Sequence, residues 1–474
     1  MSAAKKAVMT GVAVLIMAAG ALLAGCGATQ TAAGSNIPVT QNSPLSADKM
    51  DRTLLCGDSG FCSLTDRIVS GKGAEAESEL HTGRTWYADP KADADTADGS
   101  KAHPFATIEE SISQLQAGDL LYLRGGVYSP EDTIELSGLH GNAGAYIQIA
   151  GYPGEKAVID GSYFTGEDIR AVEMSGTSFL WIKNLTLQNY SGPEEAIGMI
   201  MEHSANHILI TGCEITGICV DDPAQEDHTA NAILCYNTET TRDGAAGNIL
   251  IYDNRIHDCA TGWSEAVSFD ENTENVNVLC NSVVNTGNIG IDFAGNYYDD
   301  CNAPEVAFCR NCLAYGNYVA DCIAASGITC YGIYADGAQH ITFHSNVVTG
   351  CSGGIEVGAE QLPDSDAHST GNVQVVNNLV YGNLEKGITI GGYDTDTTGT
   401  VFDSSVIGNT LSDNGLKAPD GDGAEITVSK VNGLTLQQNV ITNQNDGISM
   451  ISFEPGKEYV KNYQESGNIL GRNQ

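Results

Sequence analysis

The most regular feature of the chain is a repeated pattern of apolar positions around a small anchor residue. Each repeat places mostly apolar side chains five and three residues before the anchor and another two residues after it. In the repeat of Asn281 these side chains are Val276, Val278 and Val283. Nine positions anchor such repeats: Leu185, Cys213, Asn254, Asn281, Asn317, Asn346, Asn378, Asn409 and Asn439.

The spacing within each repeat predicts strands separated by a bend. The two positions before the anchor have the period-2 alternation of a strand. The step from there to the next apolar position is odd, so the chain must bend, and we expect asparagine or glycine at the bend to adopt the left-handed backbone conformation. A second short strand follows a glycine, as in Gly290-Ile291-Asp292-Phe293.

The repeats predict an all-β solenoid. Because no single repeat can bury its own apolar face, the repeats must stack into a parallel β-helix, whose nine coils would span about 43 Å at ~4.8 Å per coil. A leucine-rich repeat would need a helical half-repeat and a β-propeller four strands per unit, and both are missing from the pattern. Thr107-Ile108-Glu109-Glu110 has the pattern of a capping box, which predicts a short helix through Leu115 that covers the end of the solenoid.

The N-terminus has the pattern of an export signal. Lys5 and Lys6 precede an apolar run that is too short for a typical membrane span. The run ends in Leu23-Ala24-Gly25-Cys26, which resembles the lipobox of bacterial lipoproteins. That resemblance implies that Cys26 is diacylated and becomes the first residue of the mature protein.

These features divide the chain into three parts. We expect residues 1–25 to be a lipoprotein signal peptide and residues 26–80, rich in small and polar side chains, to be a lipid-anchored flexible tether. Residues 81–474 are expected to form the β-helix domain. The protein would then be extracytoplasmic and held on the bacterial cell membrane by its lipid.

The start of the predicted domain resembles a known family. Residues 86–90, 104–108 and 118–128 resemble the N-terminal cap of bacterial right-handed parallel β-helix proteins, a group that includes pectate-lyase-like polysaccharide lyases. Residues 332–337 and 354–358 are similar to coils of the same superfamily. The resemblance covers about residues 85–455 and implies a right-handed, single-stranded solenoid. It leaves the activity open, because this fold hosts lyases, hydrolases, epimerases and non-enzymatic adhesins. The Asp-Pro-His-Glu signature of mannuronan epimerases is absent from the sequence.

The charge of the chain limits its partners. The chain has 60 Asp and Glu against 22 Lys and Arg, a formal net charge of −38. Binding to nucleic acid or to an anionic membrane surface requires a basic face. We therefore expect no nucleic-acid partner, a membrane contact only through the N-terminal lipid, and a monomer.

Acidic residues concentrate in the strand that follows the glycine. Stacking predicts two outward columns, Ser268, Asp292, Tyr334, Glu356, Thr389, Thr427 and Ser449, and then Asp270, Ala294, Asp336, Gly358, Gly391, Ser429 and Ile451. Four acids, Asp270, Asp292, Asp336 and Glu356, thus fall on four consecutive coils. Carboxylate ligands at this density favour the binding of Ca²⁺, although a solvated acidic face would give the same pattern.

A cation at this place suggests a reaction on an acidic polysaccharide. It would neutralise the carboxylate of a uronic acid, so that a base removes the C5 proton and the C4 oxygen leaves by β-elimination. The resemblance implies a lysine or arginine as base. Lys386, next to the acids, is the candidate, and the alternative is a turn lysine paired with neighbouring carboxylates. Tyr334 would stack on a sugar or donate a proton, unless it is an ordinary strand tyrosine. Trp263 and Glu265 would line a subsite.

The cysteines permit several interpretations. Cys322 and Cys351 lie on consecutive coils, where they form either a disulfide or part of an internal stack of small apolar side chains. Cys56 and Cys62 are close enough in sequence to close a loop after export. Cys309 and Cys312, with Cys301 nearby, have a spacing that only weakly indicates zinc, because the sequence offers no clear fourth ligand.

Three functions remain compatible with the sequence. The first is a Ca²⁺-dependent polysaccharide lyase that cleaves a uronic-acid glycan. The second is a glycoside hydrolase that uses two carboxylates such as Asp292 and Glu356 as acid and base. The third is a surface protein that binds glycan along an acidic face without cleaving it.

Overall fold

The described chain winds into a right-handed parallel β-helix, as the sequence predicts. The computed structural model describes residues 42–165, 169–296, 303–360, 369–394, 396–418 and 422–471. Each complete coil contributes one strand to each of three parallel sheets. Consecutive coils pair at the predicted offsets, since Ile249 lies opposite Val276 and Ile251 opposite Val278.

Sheet 1 carries the strands that precede the bends, and in the described residues it has thirteen strands. They are Thr85–Ala88, Leu120–Leu123, Ile147–Gly151, Ser178–Lys183, Asn206–Thr211, Ala246–Tyr252, Thr273–Leu279, Arg310–Tyr315, Gln339–His344, Gln374–Val376, Val401–Ile407, Val431–Gln437 and Val460–Ser466.

Sheet 2 follows the bends, with twelve strands in the described part. They are Gly126–Tyr128, Ala157–Asp160, Thr186–Gly192, Glu214–Val220, Arg255–Cys259, Ser282–Thr286, Tyr318–Ala320, Val347–Thr349, Leu379–Tyr381, Thr410–Ser412, Val440–Thr442 and Ile469–Gly471.

Sheet 3 completes the coil, with eleven strands in the same residues. They are Ile134–Glu135, Arg170–Ser175, Glu195–Glu202, Thr229–Asn237, Val267–Glu271, Ile291–Ala294, Tyr331–Asp336, Gly353–Gly358, Lys386–Ile390, Ala424–Val428 and Ser449–Phe453.

The solenoid is longer than the nine coils that the repeat predicts. The stretch that resembles an N-terminal cap itself supplies two strands of sheet 1, Ile147–Gly151 adds a third, and residues 460–466 add one more at the other end. Thirteen strands span about 58 Å at ~4.8 Å per coil. The predicted capping helix is present as Ile108–Ile112, and the Thr107 side chain accepts a hydrogen bond from the Glu110 backbone N–H at 3.2 Å.

The anchor asparagines form a hydrogen-bonded ladder along the solenoid axis. In each coil the side-chain amide bridges to the next, as shown by Asn346, whose Nδ2 donates to Oδ1 of Asn378 at 3.0 Å and to the Ala314 carbonyl at 2.9 Å. Its own Oδ1 accepts from the Asn317 backbone N–H at 3.0 Å. The ladder comprises Asn254, Asn281, Asn317, Asn346, Asn378, Asn409, Asn439 and Asn468.

The expectation that the anchor adopts the left-handed conformation is therefore wrong. The residue immediately before each anchor does so, for example Ser345 with a φ of 57° and Gly408 with a φ of 68°. The anchor is instead buried, and its amide satisfies backbone groups of the neighbouring coils. An alanine there would leave these groups without partners, which explains why asparagine recurs.

The described part of the expected tether, residues 42–80, is folded against the solenoid. Helices Ser59–Arg67 and Gly73–Leu80 are joined by a π-helical turn at Ile68–Lys72. Their apolar face, which includes Phe61 and Leu64, packs on outward side chains of sheet 1 such as Trp181 and Leu250. The tether prediction is wrong for these residues. Small and polar residues dominate the composition of the segment, but the apolar residues between them form a stripe that covers sheet 1.

Polar contacts fix the same segment. Asn277 clamps the backbone of Cys56 through its amide, with distances of 3.0 and 2.6 Å, and His207 pairs with Asp58 at 2.8 Å. Lys183, which is 3% exposed, bonds to Glu77 at 3.0 Å. The signal peptide and Cys26 lie outside the described residues. None of the helices in the described ranges has the length and apolar character needed to cross a bilayer.

Every cysteine in the described residues is a free thiol. Cys322 and Cys351 are fully buried, which agrees with an internal stack rather than a disulfide. Cys56 and Cys62 are unpaired. Cys309 and Cys312 lie 3.4 Å apart, Sγ to Sγ, inside the core, while Cys301 lies outside the described residues.

Candidate functional site

The predicted acidic column lies on the outward face of sheet 3. Asp292, Tyr334 and Glu356 are paired directly across three consecutive coils, and Thr389 continues the column. Asp336 lies in the second column, between Ala294 and Gly358. The prediction that these offsets stack is confirmed over these coils.

The column ends differently from the prediction. Thr427 pairs with Ser452, whereas Ser449 pairs with Ala424. The reason is the packing of Ile448, whose Cδ1 occupies the space that a Cβ on Gly415 or Gly423 would need. Ile448 is thereby kept out of sheet 3, and the inward position beside Ile426 passes to Ile451.

Four carboxylates lie along this column and beside it, and we call Asp292, Asp336, Glu356 and Glu360 the acidic cluster. Asp336 and Asp292 are 1% and 4% exposed, whereas Glu356 is half-buried. The backbone N–H of Glu360 donates to Oδ1 of Asp336 at 2.7 Å. The cluster is therefore held partly by the chain that leaves strand Gly353–Gly358, and two of its members, Glu356 and Glu360, are half-buried.

Two tyrosines lie across the glycines that flank Glu356. A Cβ on Gly353 would come within 2.3 Å of the Tyr331 ring, and one on Gly358 within 2.5 Å of the Tyr334 hydroxyl. The Tyr331 hydroxyl donates to Oγ1 of Thr389 at 2.9 Å, and the Tyr334 hydroxyl donates to Oε1 of Glu360 at 3.2 Å. Both glycines are thus needed so that the rings can rest on the sheet beside Glu356.

The environment of Glu356 favours the protonated form of its carboxyl group. Burial raises the pKa of this carboxyl well above its ordinary range, and the neighbouring carboxylates of Glu360 and Asp336 raise it further. Lys386 offsets only part of this rise. A carboxyl group that stays protonated beside two other carboxyl groups is a competent general acid.

The described carboxylates do not form a ready-made cation site. No three His, Cys, Asp or Glu side chains within the described ranges are arranged so that they could hold a metal ion. Asp270, expected as a ligand, accepts from Oγ of Ser268 at 2.6 Å and lies three coils from Glu356. The predicted set of Asp270, Asp292, Asp336 and Glu356 is stacked but not gathered around one point.

Lys386 begins the strand after Glu356, as predicted, but its ammonium group is engaged elsewhere. Nζ lies 2.8 Å from Oε2 of Glu454, which is 68 residues further along the chain and two coils away. The ion pair therefore engages the ammonium group of Lys386 with a carboxylate outside the acidic cluster.

Trp263 and Glu265 lie at the entry to the strand of Asp270, away from the acidic cluster. Glu265 is 8% exposed and accepts from Oγ of Ser264 at 3.0 Å, while Nε1 of Trp263 donates to the Ala224 carbonyl at 3.4 Å. The structure therefore does not bring these two residues together with Glu356.

Sequence reasoning missed Glu360 and Tyr331. Glu360 follows the end of strand Gly353–Gly358, where the repeat gives no register. Tyr331 was visible as the residue before Gly332, but its role depends on Gly353 in the next coil. The roles of Glu360 and Tyr331 can be recognised only from the pairing of two coils, and the pattern within one repeat does not reveal them.

The chain belongs to the family described as Pel9A-like, right handed beta helix region, whose profile matches residues 86–389. At the level of class, this makes it a carbohydrate-active β-helix protein.

Two proteins are similar to this chain in sequence, and one solved structure is similar to it in fold. The chain is 28% identical over 376 residues to the uncharacterized protein YwoF of Bacillus subtilis (strain 168), covering 77% of this chain and 76% of that protein. It is 35% identical over 80 residues to the pectate lyase PEL9 of Emericella nidulans, only 17% of this chain and 19% of that one. A GH136 lacto-N-biosidase from Eubacterium ramulus has the same fold, with a TM-score of 0.55, 14% identity, and coverage of 86% of this chain and 71% of that chain.

Proposed function

We propose that the chain cleaves a glycan by hydrolysis at the acidic cluster. The observation that carries this proposal is Glu356, a half-buried carboxyl whose pKa is raised well above its ordinary range beside Asp336 and Glu360. Hydrolysis of a glycosidic bond requires one protonated carboxyl and one ionised carboxylate on either side of the bond. This is the hydrolase alternative that the sequence leaves open.

In this mechanism Glu356 donates its proton to the oxygen of the leaving sugar. Asp292 lies two coils away in the same column, which separates the Cα atoms by about 9.6 Å. Asp336 is nearer, one coil away and two residues along the strand. Tyr334 lies between Glu356 and Asp292 in this column. We assign the base to Asp292, the more distant of the two carboxylates, because inverting enzymes need space for a water molecule between their carboxyl groups. Tyr331 and Tyr334, which are 5% and 4% exposed, support the acid from within the sheet.

Enzyme assays test the proposal directly. Purified protein is incubated with neutral polysaccharides and oligosaccharides, and new reducing ends are measured. Glu356→Gln should lower turnover by about 10² to 10⁴-fold, because it removes the proton donor. Activity of the unchanged protein should fall as the pH rises through the pKa of Glu356.

Glu135→Gln is the matched control for this experiment. Glu135 lies in the same outward column at the far end of sheet 3 and is exposed. Its substitution should leave turnover unchanged. Equal activity of Glu356→Gln and Glu135→Gln would refute the assignment of the acid.

The second candidate is the Ca²⁺-dependent lyase of an acidic polysaccharide. The family and the 80-residue similarity to a pectate lyase favour it. The charge of Lys386 acts on Glu356 and lowers its pKa. It ranks second because the described carboxylates do not form a cation site and Lys386 is paired with Glu454.

Product chemistry separates the two candidates. A lyase would release unsaturated sugars that absorb in the near ultraviolet from polygalacturonate or alginate, and this product should disappear on chelation of Ca²⁺ and in Lys386→Met. Reducing ends without unsaturation would exclude the lyase. Saturable glycan binding with no product of either kind would instead favour a purely binding protein.

The membrane location is proposed from the lipobox alone. Cys26 would carry the lipid that holds the protein at the cell surface. The wild-type protein should partition into detergent from intact cells, and Cys26→Ser should not. A Cys26→Ser protein that remains with the membrane would contradict this anchor.

A further inference from the structure

A concave surface lies where the chain turns from sheet 3 into sheet 1. It is a cavity of about 470 Å³. Its base is backbone, since Gly371 forms bridges to Gln339 in the preceding coil and to Phe402 in the next. Side chains with rings, amides or a carboxylate complete the lining: Phe308, Gln339, Asn372, Phe402 and Glu305.

The lining has the chemistry of a site for an uncharged sugar. Phe308 and Phe402 are half-buried and present ring surface, and the amides of Gln339 and Asn372 are donors and acceptors suited to hydroxyl groups. None of the lining residues is basic. The nearest guanidinium, that of Arg310, is 2% exposed and paired with Glu274 at 2.8 Å.

The cavity is rigidly connected to the acidic cluster. Asp336 precedes Gln339 by three residues, which limits the separation of their Cα atoms to about 10 Å. The backbone N–H of Gly337 donates to Oγ1 of Thr370 at 2.7 Å, and that hydroxyl donates to the Gly358 carbonyl. One short turn and one buried threonine therefore hold the two surfaces next to each other.

We infer that this cavity is a binding subsite for a neutral sugar unit of the glycan that is cleaved at the acidic cluster. The inference rests on the proposed hydrolytic function and specifies its substrate as a neutral rather than a uronic-acid glycan. The sugar stacks on Phe402 or Phe308, and the two amides bind its hydroxyl groups. A uronate would place a carboxylate next to Glu305, and no basic residue lines the cavity to balance the two negative charges.

Calorimetric titration of the Glu356→Gln protein tests the subsite without turnover. The probes are cellohexaose, xylohexaose and lacto-N-tetraose, with hexagalacturonate as the charged competitor. At least one neutral probe should bind more tightly than hexagalacturonate. A second substitution, Phe402→Ala, should weaken that binding about tenfold, whereas Tyr163→Ala, which removes a ring that is 72% exposed elsewhere on the solenoid, should not.

Gly371→Val provides an independent variant. A Cβ at Gly371 would lie 3.6 Å from Cβ of Phe402, an ordinary contact, so the coil accepts the start of a side chain here and the larger valine reduces the cavity. It should abolish binding while leaving the circular dichroism spectrum and the melting temperature unchanged. Unchanged affinity in both variants, tighter binding of hexagalacturonate, or no binding of any neutral probe would overturn the subsite. Binding that meets these expectations in a protein with no hydrolytic activity would contradict the proposed function but leave the subsite intact.

Discussion

Removing one amide from the middle of the asparagine ladder should destabilise the solenoid strongly. In Asn346→Ala, the backbone N–H of Asn317 loses its acceptor at 3.0 Å and the Ala314 carbonyl loses its donor at 2.9 Å. Both groups are in a buried part of the coil. Each orphaned group costs about 1–3 kcal/mol, so we expect a loss of about 2–6 kcal/mol in the free energy of unfolding.

Urea unfolding measured by circular dichroism gives this free energy, and amide hydrogen exchange reports whether the loss is local to the affected coils. Asn468→Ala is the matched control, because Asn468 ends the ladder and is only half-buried. Water can replace its amide there, so its removal should cost about 1 kcal/mol or less. A loss below about 0.5 kcal/mol for Asn346→Ala, or equal losses in both variants, would refute the reasoning.

Two further predictions concern buried titratable groups. Burial raises the pKa of Glu425 to about 7, so the folded state binds its proton more tightly than the unfolded state. Stability should then fall by about 3 kcal/mol as the pH rises from about 4.5 to 7, and Glu425→Gln should flatten this dependence in urea titrations at several pH values. Burial also raises the pKa of the Cys309 and Cys351 thiols. Because both side chains are fully buried, iodoacetamide should label them only after unfolding. Burial raises the pKa of Cys62 as well, but this side chain is only half-buried and should react in the native protein. Mass spectrometry that finds Cys309 labelled in the folded state would contradict this.

The sequence predicts the coils well because their register is encoded locally. Apolar side chains at fixed offsets place Ile249 opposite Val276 and Asp292 opposite Tyr334. A slip by one residue would turn the apolar side chains outward, so a repeating pattern leaves little freedom. The error at Ser449 arose where Ile448 left the sheet to pack against two glycines.

The remaining errors concern contacts between distant parts of the chain. Lys386 pairs with Glu454, which lies on a different coil, and the residues next to Lys386 in the sequence do not predict this ion pair. Residues 42–80, which cover sheet 1, have the composition of a tether. Only the spacing of Phe61 and Leu64 indicates that the segment has an apolar face that packs on the sheet. The asparagine anchors were found correctly, but their purpose depends on the coil that follows.

The ladder has a consequence for how this protein can change its length. Every rung from Asn254 to Asn439 passes a donor to the following rung and receives one from the rung before. A duplicated coil that keeps its asparagine would therefore join the series with all its amides satisfied. Growth or shortening in whole coils is the modification this architecture tolerates best, whereas fractional insertions must be absorbed by the loops between strands.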